Sequence, residues 1–86
     1  MATLTDVESS ASSVILFEPA GEGNGRTVFN ESTAVLYLAY APTASETAYT
    51  VQLDPGAYYE FPAPLFLGAA SGIWASANGY ARLTSW

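Results

Sequence analysis

Apolar residues along this chain recur mostly at every second position, in runs too short for helices. The clearest run is Thr47 to Leu53, where Tyr49, Val51 and Leu53 alternate with Ala48, Thr50 and Gln52. A period of two puts the first set on the inward face of a strand and the second outward. Val14-Ile15-Leu16-Phe17 is continuously apolar and stops at Glu18-Pro19, the mark of a strand buried on both faces or paired at a sheet edge. Arg26 to Asn30 forms the next run, and Asn30-Glu31-Ser32 reads as a turn. The segment Thr33 to Tyr40 carries Val35, Tyr37 and Ala39 on one face and Leu36, Leu38 and Tyr40 on the other. Both faces are apolar, so one packs in the core and the other needs a second cover.

Gly, Pro and Asn punctuate these runs. Gly21-Glu22-Gly23-Asn24-Gly25 has no following Lys-Ser/Thr and no helix, so it reads as a loop rather than a phosphate cradle. Ala41 to Ser45 is another loop. Asp54-Pro55-Gly56 places Pro and Gly where a type II turn requires them, leading into Ala57 to Phe61. Pro62 and Pro64 end that strand, and Gly68 to Gly72 loops onward. Ile73 to Ala77 and Tyr80 to Ser85 flank Asn78-Gly79, a strong hairpin signal. A two-residue turn there sets Ala77 opposite Tyr80, Ala75 opposite Arg82, Trp74 opposite Leu83 and Ile73 opposite Thr84. One hairpin face then carries Trp74, Ser76, Ala81 and Leu83; the other carries Ile73, Ala75, Tyr80, Arg82 and Trp86. No helical period of useful length occurs. The pattern predicts an all-β fold, a small antiparallel β-sandwich or barrel of about seven short strands. Residues 1–12 are polar and Ser-rich without a period, and are expected to form a flexible N-terminal arm; residues 13–86 are expected to form a single β domain.

Composition adds the question of surface. Only 12% of the residues are charged while 50% are hydrophobic and 14% aromatic, against roughly 25–35% charge on a well-behaved small-domain surface. A core of this size is modest, and without Cys no disulfide supports it. Association with other chains is the expected extra source of stability. Seven residues are the expected interface: Tyr37, Tyr40, Tyr58, Ile73, Tyr80, Arg82 and Trp86, with the Tyr80/Arg82/Trp86 face meeting another subunit or a larger protein surface. Trp, Tyr and Arg commonly dominate interface energies.

The charge pattern excludes several classes. A net charge of −6, with two Arg and no Lys, cannot neutralise a run of phosphates, so nucleic acid is not expected as a partner. The longest apolar stretch, Ala34 to Ala41, is eight residues, far below the roughly 18 of a membrane-spanning helix; no membrane role is expected. Met1-Ala-Thr-Leu-Thr-Asp lacks the basic and apolar regions of a signal peptide, which fits synthesis in a cytoplasm. With no Cys, His or Lys, and its eight acids scattered, the chain has few routes to nucleophilic, metal or proton-transfer chemistry. No enzyme activity, cofactor or metal is expected.

Three blocks of sequence bring a family into view. They are Phe29-Asn-Glu-Ser-Thr-Ala-Val-Leu-Tyr37, Tyr49-Thr-Val-Gln-Leu-Asp-Pro-Gly-Ala-Tyr-Tyr-Glu-Phe-Pro62 and Gly72-Ile-Trp-Ala-Ser-Ala-Asn-Gly-Tyr-Ala-Arg-Leu-Thr84. This part of the chain resembles small all-β virion structural proteins of tailed bacteriophages. The resemblance implies a capsid decoration, or cement, protein on the capsid surface, bound to the lattice of the major capsid protein. It also implies a homo-oligomer, with a trimer favoured, whose seam would use Val35 to Tyr40 or the last two strands. Two other roles stay open: a head or tail fibre module that recognises host glycans, and a head–tail connector or tail component.

Overall fold

The computed structural model describes residues 2–86. Its eight strands are β1 (Thr3–Glu8), β2 (Val14–Phe17), β3 (Arg26–Ser32), β4 (Leu36–Ala39), β5 (Val51–Leu53), β6 (Tyr58–Glu60), β7 (Ala70–Trp74) and β8 (Gly79–Ser85). There is no helix among the described residues. The strands form two antiparallel sheets packed face to face, sheet A in the order β1-β8-β3-β6 and sheet B in the order β2-β7-β4-β5. The wiring follows from doubling the chain back between β4 and β5. That pairs β4 with β5, β3 with β6, β2 with β7 and β1 with β8. Rolling the doubled ribbon then brings β3 against β8 and β4 against β7. This is the jelly-roll arrangement, which holds a small core between two short sheets.

The all-β sandwich expected from the pattern is present, with one strand more than expected. The additional strand lies in the segment expected to be a free arm. Thr3–Glu8 runs antiparallel to β8, from Thr3 opposite Ser85 to Glu8 opposite Tyr80. An edge strand needs only backbone pairing to β8 and one apolar anchor, here the half-buried Val7. Hydrophobic periodicity therefore gave no sign of it.

The expected final hairpin is also corrected. β7 pairs with β2 and β4 in sheet B, whereas β8 pairs with β1 and β3 in sheet A. Asn78-Gly79 is therefore a crossover between sheets. Its local conformation is still the one such a turn demands, with Gly79 at φ +92°. Gly79 faces Ser32, so tightly that a Cβ there would collide with the Glu31 carbonyl oxygen. Asn78 Oδ1 accepts hydrogen bonds from the Thr33 amide at 2.9 Å and the Thr33 hydroxyl at 2.7 Å. The dipeptide is thus locked onto the β3–β4 connection. Alternation within each strand holds, but the expected shared faces do not: Ile73 lies on the outer side of sheet B and Arg82 on that of sheet A, and Ser76, expected beside Trp74, is exposed beyond β7. Trp74, Ala81 and Leu83 are buried, while Tyr80, Arg82 and Trp86 are exposed.

Two local readings are refined as well. Asp54-Pro55-Gly56 makes the expected turn: the Ala57 amide donates to the Asp54 carbonyl at 2.9 Å, and Gly56 has φ +82°. The long alternating run from Thr47 keeps only Val51–Leu53 as strand. Tyr49, expected inward, is exposed and packs its ring 5.0 Å from that of Tyr37.

Leu16, Phe17, Val28, Leu36, Leu38, Leu53, Phe61, Trp74 and Leu83 fill the space between the sheets. At its centre stands a polar residue, Asn30, fully buried and part of β3 rather than of a turn. Its Nδ2 donates to the carbonyls of Ala34 at 2.9 Å and Leu53 at 3.0 Å, with Asp54 also within reach at 3.2 Å. Its Oδ1 accepts from the Ser32 hydroxyl at 2.7 Å and from the Trp74 indole at 3.1 Å. Its backbone closes on the 54–57 turn: the Asn30 amide donates to Ala57 O, and the Gly56 amide donates to Asn30 O. A buried polar group costs stability unless partnered, and this one is partnered on every side.

Two tests follow. Asn30→Leu keeps the branched shape but removes the donor to the Leu53 carbonyl and the acceptor of the Trp74 N–H, while the Ala34 carbonyl keeps the Ser32 hydroxyl; denaturant melts should show a loss of about 3–5 kcal/mol. Gly79→Ala must meet both its φ and the Glu31 carbonyl, whereas Gly56→Ala meets only its φ, since nothing lies near its Cβ position. Urea titration should show Gly56→Ala losing about 1–2 kcal/mol and Gly79→Ala clearly more.

Candidate protein-binding face

Residues opposite one another across a sheet share a face, so the registers of sheet A define its outer surface. One row reads Asp6, Arg82, Phe29 and Tyr58; the next reads Glu8, Tyr80 and Glu31. Leu4, Thr84, Thr27 and Glu60 make a third. Several large apolar side chains on this face remain open: Leu4 is 78% exposed, Tyr58 62%, Tyr80 42% and Phe29 36%. Such a cluster on one flat face is what a protein–protein contact buries.

Arg82 sits in the middle. Its Nη1 lies 2.6 Å from Asp6 and its Nε 2.6 Å from Glu31, so one guanidinium ties β1, β8 and β3 together. Its plane also lies 5.1 Å from the Tyr80 ring centre. The hydrogen bonds to Glu31 and Asp6 hold the guanidinium charged well beyond its ordinary range. An exposed ion network contributes little to stability. It does fix Tyr80 and Arg82 in position before any partner arrives. With Asp6, Glu8, Glu31 and Glu60 around this single cation, the face is acidic.

The other expected interface residues are distributed differently. Tyr37 and Ile73 face each other across β4 and β7 on the outer surface of sheet B. Both are half-buried there, with Tyr49 beside Tyr37. Tyr40 is engaged within the chain: it stacks between Phe61 at 4.9 Å and Phe66 at 4.7 Å, and shares a 2.8 Å hydrogen bond with the Tyr59 hydroxyl. Trp86 stands apart from the sheet A cluster, at a cleft beyond the end of β8. The structure thus brings Tyr58, Tyr80 and Arg82 together, and separates them from Tyr37, Tyr40, Ile73 and Trp86.

Sequence reasoning passed over the second arginine. Arg26 is buried, and no acid pairs with it. Nη1 donates to the carbonyls of Phe66 at 3.0 Å and Gly68 at 2.8 Å; Nη2 donates to Glu18 at 2.9 Å and Leu67 at 3.3 Å. The guanidinium lies 4.9 Å from the Phe17 ring centre. Burial holds its pKa below the usual value. Its task is to tie the 66–68 segment to the end of β2. The signal for it was available: an Arg in an inward position of an alternating strand needs acceptors, and a Pro-rich connector offers carbonyls.

Among the described residues, no group of three or more acidic residues is placed to hold a metal ion, and no helix is long and apolar enough to cross a membrane. Comparison with protein families, with characterised proteins and with solved structures finds no match for this chain.

The Tyr40 contacts carry a pH signature. Burial, first, and the bond to Tyr59, second, push the Tyr40 hydroxyl above the ordinary tyrosine range. A raised folded value means this contribution to stability is intact below about pH 10, the unfolded tyrosine value, and is lost as pH climbs through the folded one. Absorbance titration of the folded protein should reveal a late-ionising tyrosine that Tyr40→Phe removes. If Tyr40→Phe leaves the alkaline titration curve unchanged in shape, the contacts do not have this effect.

Proposed function

We propose that this chain is a non-enzymatic structural protein of a virion, a capsid decoration protein that binds the major-capsid lattice. The observation that carries this reading is the outer face of sheet A, where Leu4, Phe29, Tyr58 and Tyr80 lie open around the prearranged Arg82 network. Large exposed aromatics beside a fixed arginine are well suited to anchoring a protein contact. The surrounding carboxylates match a basic partner surface and oppose self-association through the same face. The three motif blocks described above support the virion assignment. The jelly roll is compatible with it, since capsid proteins use this architecture, though other proteins do too. Homo-oligomerisation, as a trimer, would use the outer surface of sheet B, where Ile15, Tyr37, Ile73 and Tyr49 provide partly exposed apolar area.

Quantitative mass spectrometry of purified virions tests the role. A decoration protein is present in fixed proportion to the major capsid protein; a connector is present in ring-sized number, and absence from the particle overturns the proposal. The face is tested separately by Tyr58→Ala with Tyr80→Ala. Both side chains are exposed, so the melting temperature should hold. Capsid affinity should fall at least about tenfold, ~1.4 kcal/mol.

A further inference from the structure

Beyond the docking face, the sandwich carries a second surface feature at the end where β2 runs into β3. A cleft of about 410 Å³ opens there, within the range of about 300–1,000 Å³ usual for small-molecule sites. Thr3 and Thr5 of β1 and Ser85 of β8 line one side, Glu18 and Glu22 another, and Trp86 also borders it.

Trp86 is held in a defined pose. Its amide donates to Gly25 O at 3.1 Å, and its carbonyl accepts from the amides of Gly25 at 3.0 Å and Asn24 at 2.6 Å. A Cβ on Gly25 would fall among the ring atoms Cζ2, Cε2 and Cη2. One side of the indole therefore rests on bare glycine backbone. The residue is still 42% exposed, in contrast to Trp74, which is fully buried. An indole seated this way contributes little to the core and is presented to whatever enters the cleft.

The remaining lining sets the chemistry. Its hydroxyls and carboxylates are hydrogen-bonding groups suited to a polyol, and Leu16, Leu65 and Leu67, which also line it, can meet the apolar face of a sugar ring. The cleft's only cation is Arg26, and both its Nη atoms are already directed at backbone carbonyls. With two carboxylates and no free cationic donor, the cleft repels sulfate, phosphate and sialic acid. The buried charge of Arg26 beside it offsets part of the attraction for a free cation.

We propose that this cleft binds a neutral saccharide, with a sugar ring against the Trp86 indole and its hydroxyls donating to Glu18 and Glu22. The site lies apart from the sheet A cluster and does not depend on how the chain docks to a capsid. A chain fixed on a particle surface by one face would thereby display a sugar-binding site from its end.

Indole fluorescence is a direct readout, because Trp74 is sealed in the core and Trp86 faces the cleft. A glycan array with both neutral and anionic members comes first, followed by titration with maltotriose, cellotriose, diacetylchitobiose and any neutral array hit. Sialyllactose serves as the anionic control. The expected result is saturable binding of at least one neutral glycan at roughly millimolar Kd, no response to sialyllactose, and a loss of about tenfold or more in Trp86→Ala, which lacks the reporting indole and is therefore titrated by ligand-observed NMR. The double variant Glu18→Gln/Glu22→Gln changes only exposed side chains and should weaken binding comparably, which covers the case of a misfolded Trp86→Ala protein. No saturable neutral glycan, binding of sialyllactose alone, or undiminished binding in the carboxamide variant would overturn the proposal. None of these results alters the copy number in virions, so the two readings fail independently.

Discussion

The carboxamide of Asn30 is the constraint around which this jelly roll is arranged. It stands on the inner face of sheet A and reaches the Leu53 carbonyl in β5 and the Trp74 indole in β7, both in sheet B. Through Ala34 and Ser32 it also fixes the β3–β4 connection, and its backbone receives the 54–57 turn. In a core of Leu, Val and Phe, such a group is tolerated only when every donor and acceptor is used. Any shift of one sheet over the other breaks several of these bonds at once. The residue therefore contributes to specificity as well as to stability: it allows one sheet-to-sheet register.

The two arginines show how a chain poor in charge divides its cations. Arg26 is taken from water and given backbone carbonyls and an aromatic face, so that it organises the connector between β6 and β7. Arg82 remains in water and is given two carboxylates from neighbouring strands, so that it organises a surface. The first leaves the 66–68 segment firmly placed beside the cleft. The second leaves a rigid and acidic face around which apolar side chains remain open. The Arg82 network depends on the pairing of β8 with β1 and β3, which no local segment of chain encodes.

This division of labour leaves apolar side chains and carboxylates together on the outer face of sheet A, around one cation. The jelly roll itself does not choose a role, since unrelated functions share it. The choice rests on which side chains are left open and which are committed to the interior. Tyr40 illustrates the difference: on its strand it reads as interface material, yet its ring is enclosed between Phe61 and Phe66.

Side-chain facing was legible in part. The doubly apolar 33–40 run left open whether Leu36 and Leu38 are the inward pair, and Tyr49, expected inward, is exposed. Trp74, Ala81 and Leu83 inward, and Tyr80 and Arg82 outward, do follow from a period of two, a property of the single strand. So does the 54–57 turn, because only the turn's own residues decide its φ angles. Strand partnership was not legible. Asn78-Gly79 carries the backbone freedom of a hairpin turn, but Trp74 and Leu83 bury their side chains from opposite sheets, so the turn spans the sandwich instead of closing a ribbon. The same holds for β1, whose attachment to β8 uses backbone groups that every residue possesses, and for the union of Tyr58, Tyr80 and Arg82 on one face. Alternation is decided within a few residues, whereas pairing is decided by the collective burial of a core assembled from both ends of the chain; only the folded structure contains that second kind of information.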